Sequence, residues 1–137
     1  VSGLNPSALL DADLAGALKR LIATFDGDDR QVGLEITVER PLPGAVNVAV
    51  YRSVAEGITN ALRHGRASHV AVRVATTVAG HVAVDVRDDG IGGPIAPGVG
   101  LTSLRQRAEQ LGGSLAVGPH DGGGVLLHLE LPTTGAA

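Results

Sequence analysis

Asp88-Asp89-Gly90-Ile91-Gly92-Gly93 sets acids and glycines directly behind a strand-like run, His81-Val-Ala-Val-Asp-Val-Arg87. Strict alternation puts Val82, Val84 and Val86 on one face of that strand, and two more residues bring Asp88 to the same face. A carboxylate aimed at a core needs hydrogen-bond donors, because burying it bare is expensive. The glycines behind it allow a sharp turn and let a ligand come close. Such a combination can build a buried acceptor for an adenine amino group. The same residues would also serve as an ordinary turn.

A second set lies upstream. Residues 45–64 have helical periodicity, with Val50, Val54, Ile58, Ala61 and Leu62 on one apolar arc. Glu56, Asn60 and His64 follow at i, i+4 and i+8 and form a separate polar stripe. The Asn60 side-chain oxygen is a hard, neutral ligand of the kind Mg²⁺ accepts beside water and phosphate. His64 can donate to a phosphate, and Glu56 can hold a metal-bound water. The competing reading is a solvated helix face. Gly98-Val99-Gly100-Leu101 opens a further helix, where free N–H groups and the helix dipole favour a phosphate. The competing reading there is a flexible turn before a helix.

These residues need elements to hold them. Asp11 or Asp13 can cap a first helix that runs to about Phe25 on Leu14, Leu18, Leu21 and Ile22. Val32–Glu39 alternates as a strand, and Pro41 and Pro43 break it before the long helix. Ser68–Thr77 and Gly80–Arg87 form a hairpin around Val78-Ala79-Gly80. After the glycine loop comes a helix over 100–111. Ser114–Gly118 and Val125–Leu131 then pair through Pro119–Gly124, and Pro132 ends the last strand. Mixed helices and strands with two antiparallel hairpins predict an α/β (α+β) two-layer sandwich, a mixed sheet packed on helices. His69, His81, His120 and His128 show no metal-ligand spacing and read as structural or surface residues. Arg105 and Arg107 read as surface ion-pair residues.

Taken together, the motifs resemble the GHKL ATP-binding superfamily. Glu56-x-x-x-Asn60-x-x-x-His64 looks like its N box, Asp88-x-Gly90-x-Gly92 its G1 box, and Gly98-Val-Gly100-Leu101 its G2 box. Asn60-Ala-Leu-Arg-His64 and Gly100-Leu-Thr-Ser-Leu-Arg-Gln-Arg-Ala-Glu-Gln-Leu-Gly-Gly113 are most similar to bacterial sensor histidine kinases that pair with NarL-type response regulators. The opening Gly3–Leu18 resembles the segment leading into such a domain. The resemblance implies a Bergerat fold over 11–137, with 1–10 leading in from a dimerisation and phosphoacceptor domain. It implies MgATP binding, with Asp88 accepting from the adenine amino group and Gly90 and Gly92 against the base. Asn60 would coordinate Mg²⁺, Glu56 would order the metal's water shell, and His64 would contact phosphate. Gly98, Val99, Gly100 and Leu101 would form the phosphate loop and helix start. The γ-phosphate would pass to a histidine on the dimerisation domain and then to the response regulator, so this chain should not phosphorylate itself. Two features depart from the pattern. Val125 stands where the family has Thr near the adenine, and the loop between the G boxes, Gly93-Pro-Ile-Ala-Pro97, is short and lacks an aromatic anchor.

Composition limits the alternatives. The 137 residues suit one domain with a single core. With 1% aromatics, that core must be built from small aliphatics. A net charge of −3 and one lysine, Lys19, offer no nucleic-acid surface. No cysteine is present, which excludes disulfides and thiolate metal sites. No apolar run reaches a membrane span, and no signal peptide is seen. With no methionine, the chain reads as a piece of a longer protein, and the ATP requirement predicts a cytoplasmic setting. Two other classes compete. One is a gyrase- or MutL-like ATPase with Glu56 as general base on water. The other is a non-catalytic, anti-sigma-like module.

Overall fold

Among the described residues the elements follow the order α1 (Pro6–Phe25), β1 (Gln31–Thr37), α2 (Gly44–Arg63), β2 (His69–Thr76), β3 (His81–Asp88), α3 (Val99–Gln110), β4 (Ser114–Pro119) and β5 (Val125–Pro132). The structure, a computed structural model, describes residues 6–27, 29–64, 66–91, 99–120 and 123–133, with side chains from Leu14 onward except that of Val99. All five strands join one mixed sheet in the order β1-β2-β3-β5-β4. β1 and β2 are parallel because the long helix α2 returns the chain to the same end of the sheet. The other three pairs are antiparallel.

The alternation of each strand decides which face is covered. Val70, Val72 and Val74 of β2, Val82, Val84 and Val86 of β3, and Leu127, Leu129 and Leu131 of β5 are all buried. They share one core with Val46, Val50, Val54, Ile58 and Ala61 of α2, Leu18 and Ile22 of α1, and Leu101, Leu104 and Ala108 of α3. Fully burying one such Val or Leu side chain is worth roughly 1.5–3 kcal/mol. The sheet is thus covered on one face by the helices, the two-layer sandwich expected. Small residues let these layers approach closely. A Cβ on Gly57, in the middle of α2, would lie 2.9 Å from Cβ and Cγ1 of Val86 on β3. That is closer than side chains tolerate, so α2 runs directly on β3 two residues before Asp88.

The other sheet face carries polar side chains. His81 Nδ1 lies 2.7 Å from Glu130 Oε2, and His128 Nδ1 lies 2.6 Å from Asp85 Oδ1. His128 Nε2 reaches Glu130 Oε1 at 3.4 Å, so the four residues form one chain across β3 and β5.

Three expectations need correction. Helix α1 begins at Pro6, so Asp11 and Asp13 lie inside it and neither caps it. The first strand ends at Thr37, short of Glu39. Arg105 and Arg107 make no ion pair among the described residues. Arg105 Nε donates to the Leu115 carbonyl at 3.3 Å, and Arg107 donates to Gln110 Oε1 at 3.2 Å. Arg105 does have Glu109 one turn ahead, but Arg before Glu is the weaker helical order.

Candidate nucleotide site

β3 delivers Asp88 as its alternation demands. The strand's burial follows a period of two, and Asp88 is only 6% exposed. Its donors are backbone groups. Gly90 N–H donates to Asp88 Oδ1 at 2.8 Å, and Val125 N–H donates to the same oxygen at 3.2 Å. Oδ2 accepts no hydrogen bond from any described residue. The carboxylate is therefore fixed through one oxygen while the other is available as an acceptor. That is the arrangement a buried amino-group acceptor needs.

The turn between β4 and β5 supplies the other wall. Gly124 has φ +78°, a left-handed backbone that side chains resist. A Cβ there would collide with the Asp88 backbone carbonyl and stand 2.7 Å from Asp88 Oδ1. His120 Nε2 lies 2.8 Å from the same Asp88 carbonyl oxygen. At position 125 it is the backbone N–H that reaches Asp88, a contact that Val makes as well as Thr.

Asp89 anchors the end of β3 from the opposite side. Its Oδ1 accepts from the backbone N–H groups of Ser68 and His69, both at 2.9 Å. Its Oδ2 accepts from Ser68 Oγ at 2.9 Å and lies 3.1 Å from His69 Nδ1. The His69 backbone N–H is the main cause of an Asp89 pKa held well below the usual carboxylate range. The Ser68 hydroxyl and N–H add to this, and the small burial opposes it. With Asp89 N–H also bonded to the His69 carbonyl at 3.2 Å, the start of β2 and the end of β3 are locked together.

Helix α2 carries the second set. Glu56 and Asn60 are half-buried and His64 is exposed. Gly57 sits between Glu56 and Asn60 in sequence, and its contact with Val86 brings this stretch of α2 down onto β3. The Glu56 carboxylate lies against Gly100 in the first turn of α3, so closely that a Cβ at position 100 would strike its Oε1. Leu101 is buried beneath that turn. Asn60 makes no side-chain hydrogen bond with any described residue. The structure thus joins Glu56 to Gly100, and Asp88 to Gly90 and Val125. Gly92, Gly98 and the Gly93–Pro97 loop lie outside the described residues.

Sequence reasoning overlooked Gly57, Asp89, His120 and the backbone role of Gly124 and Val125. Gly57 left a signal, since a glycine inside a strong helix loses about 1 kcal/mol against Ala and asks for a packing reason. His120 left none, because its partner is a main-chain atom far away in sequence.

Residues 45–135 match the family model described as histidine kinase-, DNA gyrase B-, and HSP90-like ATPase. The nitrate/nitrite sensor protein NarQ of Escherichia coli is 34% identical over 131 residues, which cover 89% of this chain and 23% of that protein. The sensor histidine kinase YxjM of Bacillus subtilis is 38% identical over 95 residues, 69% of this chain and 23% of that protein. The chain therefore spans under a quarter of the length of these relatives. Among solved structures, the ATP-binding domain of PrrB from Mycobacterium tuberculosis superposes with a TM-score of 0.61 at 26% identity, covering 96% of both chains.

Proposed function

This chain belongs to the family of histidine kinase-, DNA gyrase B- and HSP90-like ATPases, as the ATP-binding domain of a sensor histidine kinase, and from that membership we propose how its residues are used. Asp88 accepts from the adenine amino group through Oδ2, with Gly90 and Gly92 leaving room for the base. Gly98, Val99, Gly100 and Leu101 direct backbone N–H groups at the phosphates, and His64 donates to them from the end of α2. The observation that carries this reading is the divided carboxylate of Asp88, with Oδ1 held by Gly90 and Val125 and no described donor on Oδ2.

The donor set on α2 suits Mg²⁺. An amide oxygen with no described partner and a carboxylate one turn away are hard oxygen ligands, and no thiolate competes. Asn60 would hold the ion directly and Glu56 would order its water, while the metal, when bound, neutralises phosphate charge. The protein's own contribution is positioning and electrostatics, which dominate phosphoryl transfer. The acceptor is a histidine on a dimerisation domain of the same kinase, and a NarL-type response regulator then receives the group. Residues 1–10 lead in from that domain and 11–137 form the ATP-binding part. The parent kinase keeps this domain on the cytoplasmic side, where ATP is available. No described helix is long and apolar enough to cross a membrane. The relatives are sensor kinases, which favours neither a hydrolase with Glu56 as base nor a non-catalytic regulator.

The test uses γ-labelled ATP. The isolated chain should bind MgATP and retain no stable label, whereas a protein joining it to its dimerisation domain should gain an acid-labile phosphohistidine. Stable label on the isolated chain would overturn the assignment of the acceptor to a separate domain.

A further inference from the structure

The way Asp88 leaves the sheet assigns a role to His120 that its sequence position does not suggest. The β3–β5 ladder runs from His81 opposite Pro132 to Arg87 opposite Leu126 and stops there. One more antiparallel step would set Val125 opposite Asp88, and Val125 N–H would donate to the Asp88 carbonyl. It does not. Val125 N–H turns to the side chain, Asp88 Oδ1, at 3.2 Å. The carbonyl left behind is taken by His120 Nε2 at 2.8 Å. A carbonyl only accepts, so Nε2 carries the hydrogen in this bond. His120 therefore stands in for the strand, and the exchange frees a backbone donor to orient the carboxylate. Gly124 closes the arrangement, since its missing Cβ lets the turn lie on the same carbonyl.

We infer that His120 is a positioning residue for base recognition: by holding the Asp88 carbonyl it keeps Val125 N–H on the carboxylate and so aims Oδ2 at the adenine amino group. This rests on the reading that Asp88 receives adenine. Without the imidazole donor, Val125 N–H is drawn back to the carbonyl. Asp88 Oδ1 then keeps only Gly90, and the carboxylate loses its fixed orientation. The role assigned to His120 runs through Asp88, so its removal should act on discrimination at the amino group.

The experiment compares calorimetric affinities for MgATP and for the magnesium complex of purine riboside triphosphate, which lacks the 6-amino group. The proteins are wild type, Asp88→Asn, His120→Ala, His120→Gln and His120→Asn. His120→Ala should weaken ATP binding by about 2- to 12-fold, the range for one neutral hydrogen bond, and leave the analogue unchanged, so the affinity ratio falls. Gln places its amide nitrogen near the Nε2 position and should restore the ratio, while the shorter Asn should not. If His120→Ala does not fold, the Gln and Asn pair decides alone. A general structural role would weaken both ligands equally and keep the ratio. Wild-type ratios in the folded His120 variants, beside a lost ratio in Asp88→Asn, would overturn the inference and leave adenine at Asp88. An unchanged ratio in Asp88→Asn as well would overturn the adenine reading beneath it.

Discussion

Replacing Gly124 by Ala tests how tightly the β4–β5 turn is built against the acid of β3, and neighbouring Gly123 provides its control. Both glycines are left-handed, with φ +83° at Gly123 and +78° at Gly124. Placing an L side chain in that region costs roughly 1–2 kcal/mol, so both substitutions carry the same conformational penalty. Their surroundings differ. A Cβ on Gly123 meets nothing within 4 Å, whereas one on Gly124 strikes the Asp88 carbonyl and approaches Asp88 Oδ1 to 2.7 Å. The carbonyl is backbone, bonded to His120, and cannot swing aside as the tip of a long side chain would. Forcing the turn away from it adds an overpacking term of about 1–3 kcal/mol. It also moves Val125 N–H off the carboxylate. Gly123→Ala should lose about 1–2 kcal/mol in urea unfolding and bind MgATP like wild type. Gly124→Ala should lose roughly 2–5 kcal/mol in total and bind MgATP at least several-fold more weakly under conditions where it is folded. Equal urea midpoints and equal ATP affinities in the two variants would refute the contact between this turn and Asp88.

Further perturbations follow from the same geometry. Gly57→Ala gains about 1 kcal/mol of helix propensity but sets a methyl 2.9 Å from Val86, so overpacking of about 1–3 kcal/mol should leave it less stable; a higher urea midpoint would contradict the close approach. Asp89 has its pKa lowered in the folded chain, chiefly by the His69 backbone N–H. Its contribution should be complete above the unfolded carboxylate value of about 3.9 and fade as pH falls below it. The stability gap between wild type and Asp89→Asn should therefore narrow as pH falls below about 4, and a gap that keeps widening there would exclude this origin. His128 behaves in the opposite sense. Burial draws its pKa down, but the hydrogen bond and charge of Asp85, with those of Glu130, outweigh it, and the net shift is upward. Its contribution should be complete below the unfolded value of about 6.5 and disappear as pH rises past the folded value. Wild type should exceed His128→Gln in stability at pH 6 and converge toward it at alkaline pH; divergence there would be contrary evidence.

Much of this site was legible in the residues because the signals were local. A period of two across Val82, Val84 and Val86 places Asp88 inward, and i, i+4 spacing aligns Glu56 with Asn60. The small aliphatics expected for the core do fill it, and Gly57 against Val86 is one place where the layers approach closely. What stayed illegible depends on atoms brought together from far apart. The bond from Val125 N–H to Asp88 spans 37 residues, and that from His120 to the Asp88 carbonyl spans 32. Both run through main-chain atoms, which no side-chain motif can advertise. The start of α1 was misread for a different reason: Asp11 and Asp13 are good caps, but the helix formers ahead of them carried the helix on to Pro6.

Calorimetric titration of MgATP into wild type and Asp88→Asn decides whether the end of β3 receives adenine through Asp88. Asn can keep its oxygen toward Gly90 and Val125, so the turn survives, while its amide nitrogen replaces Oδ2 and presents a donor to the adenine amino group. Two facing donors leave a buried group unsatisfied, at about 1–3 kcal/mol. Affinity should be weaker by about 5- to 150-fold, with an unchanged urea midpoint. Equal affinity in the two proteins, or no binding by wild type at millimolar MgATP, would contradict it.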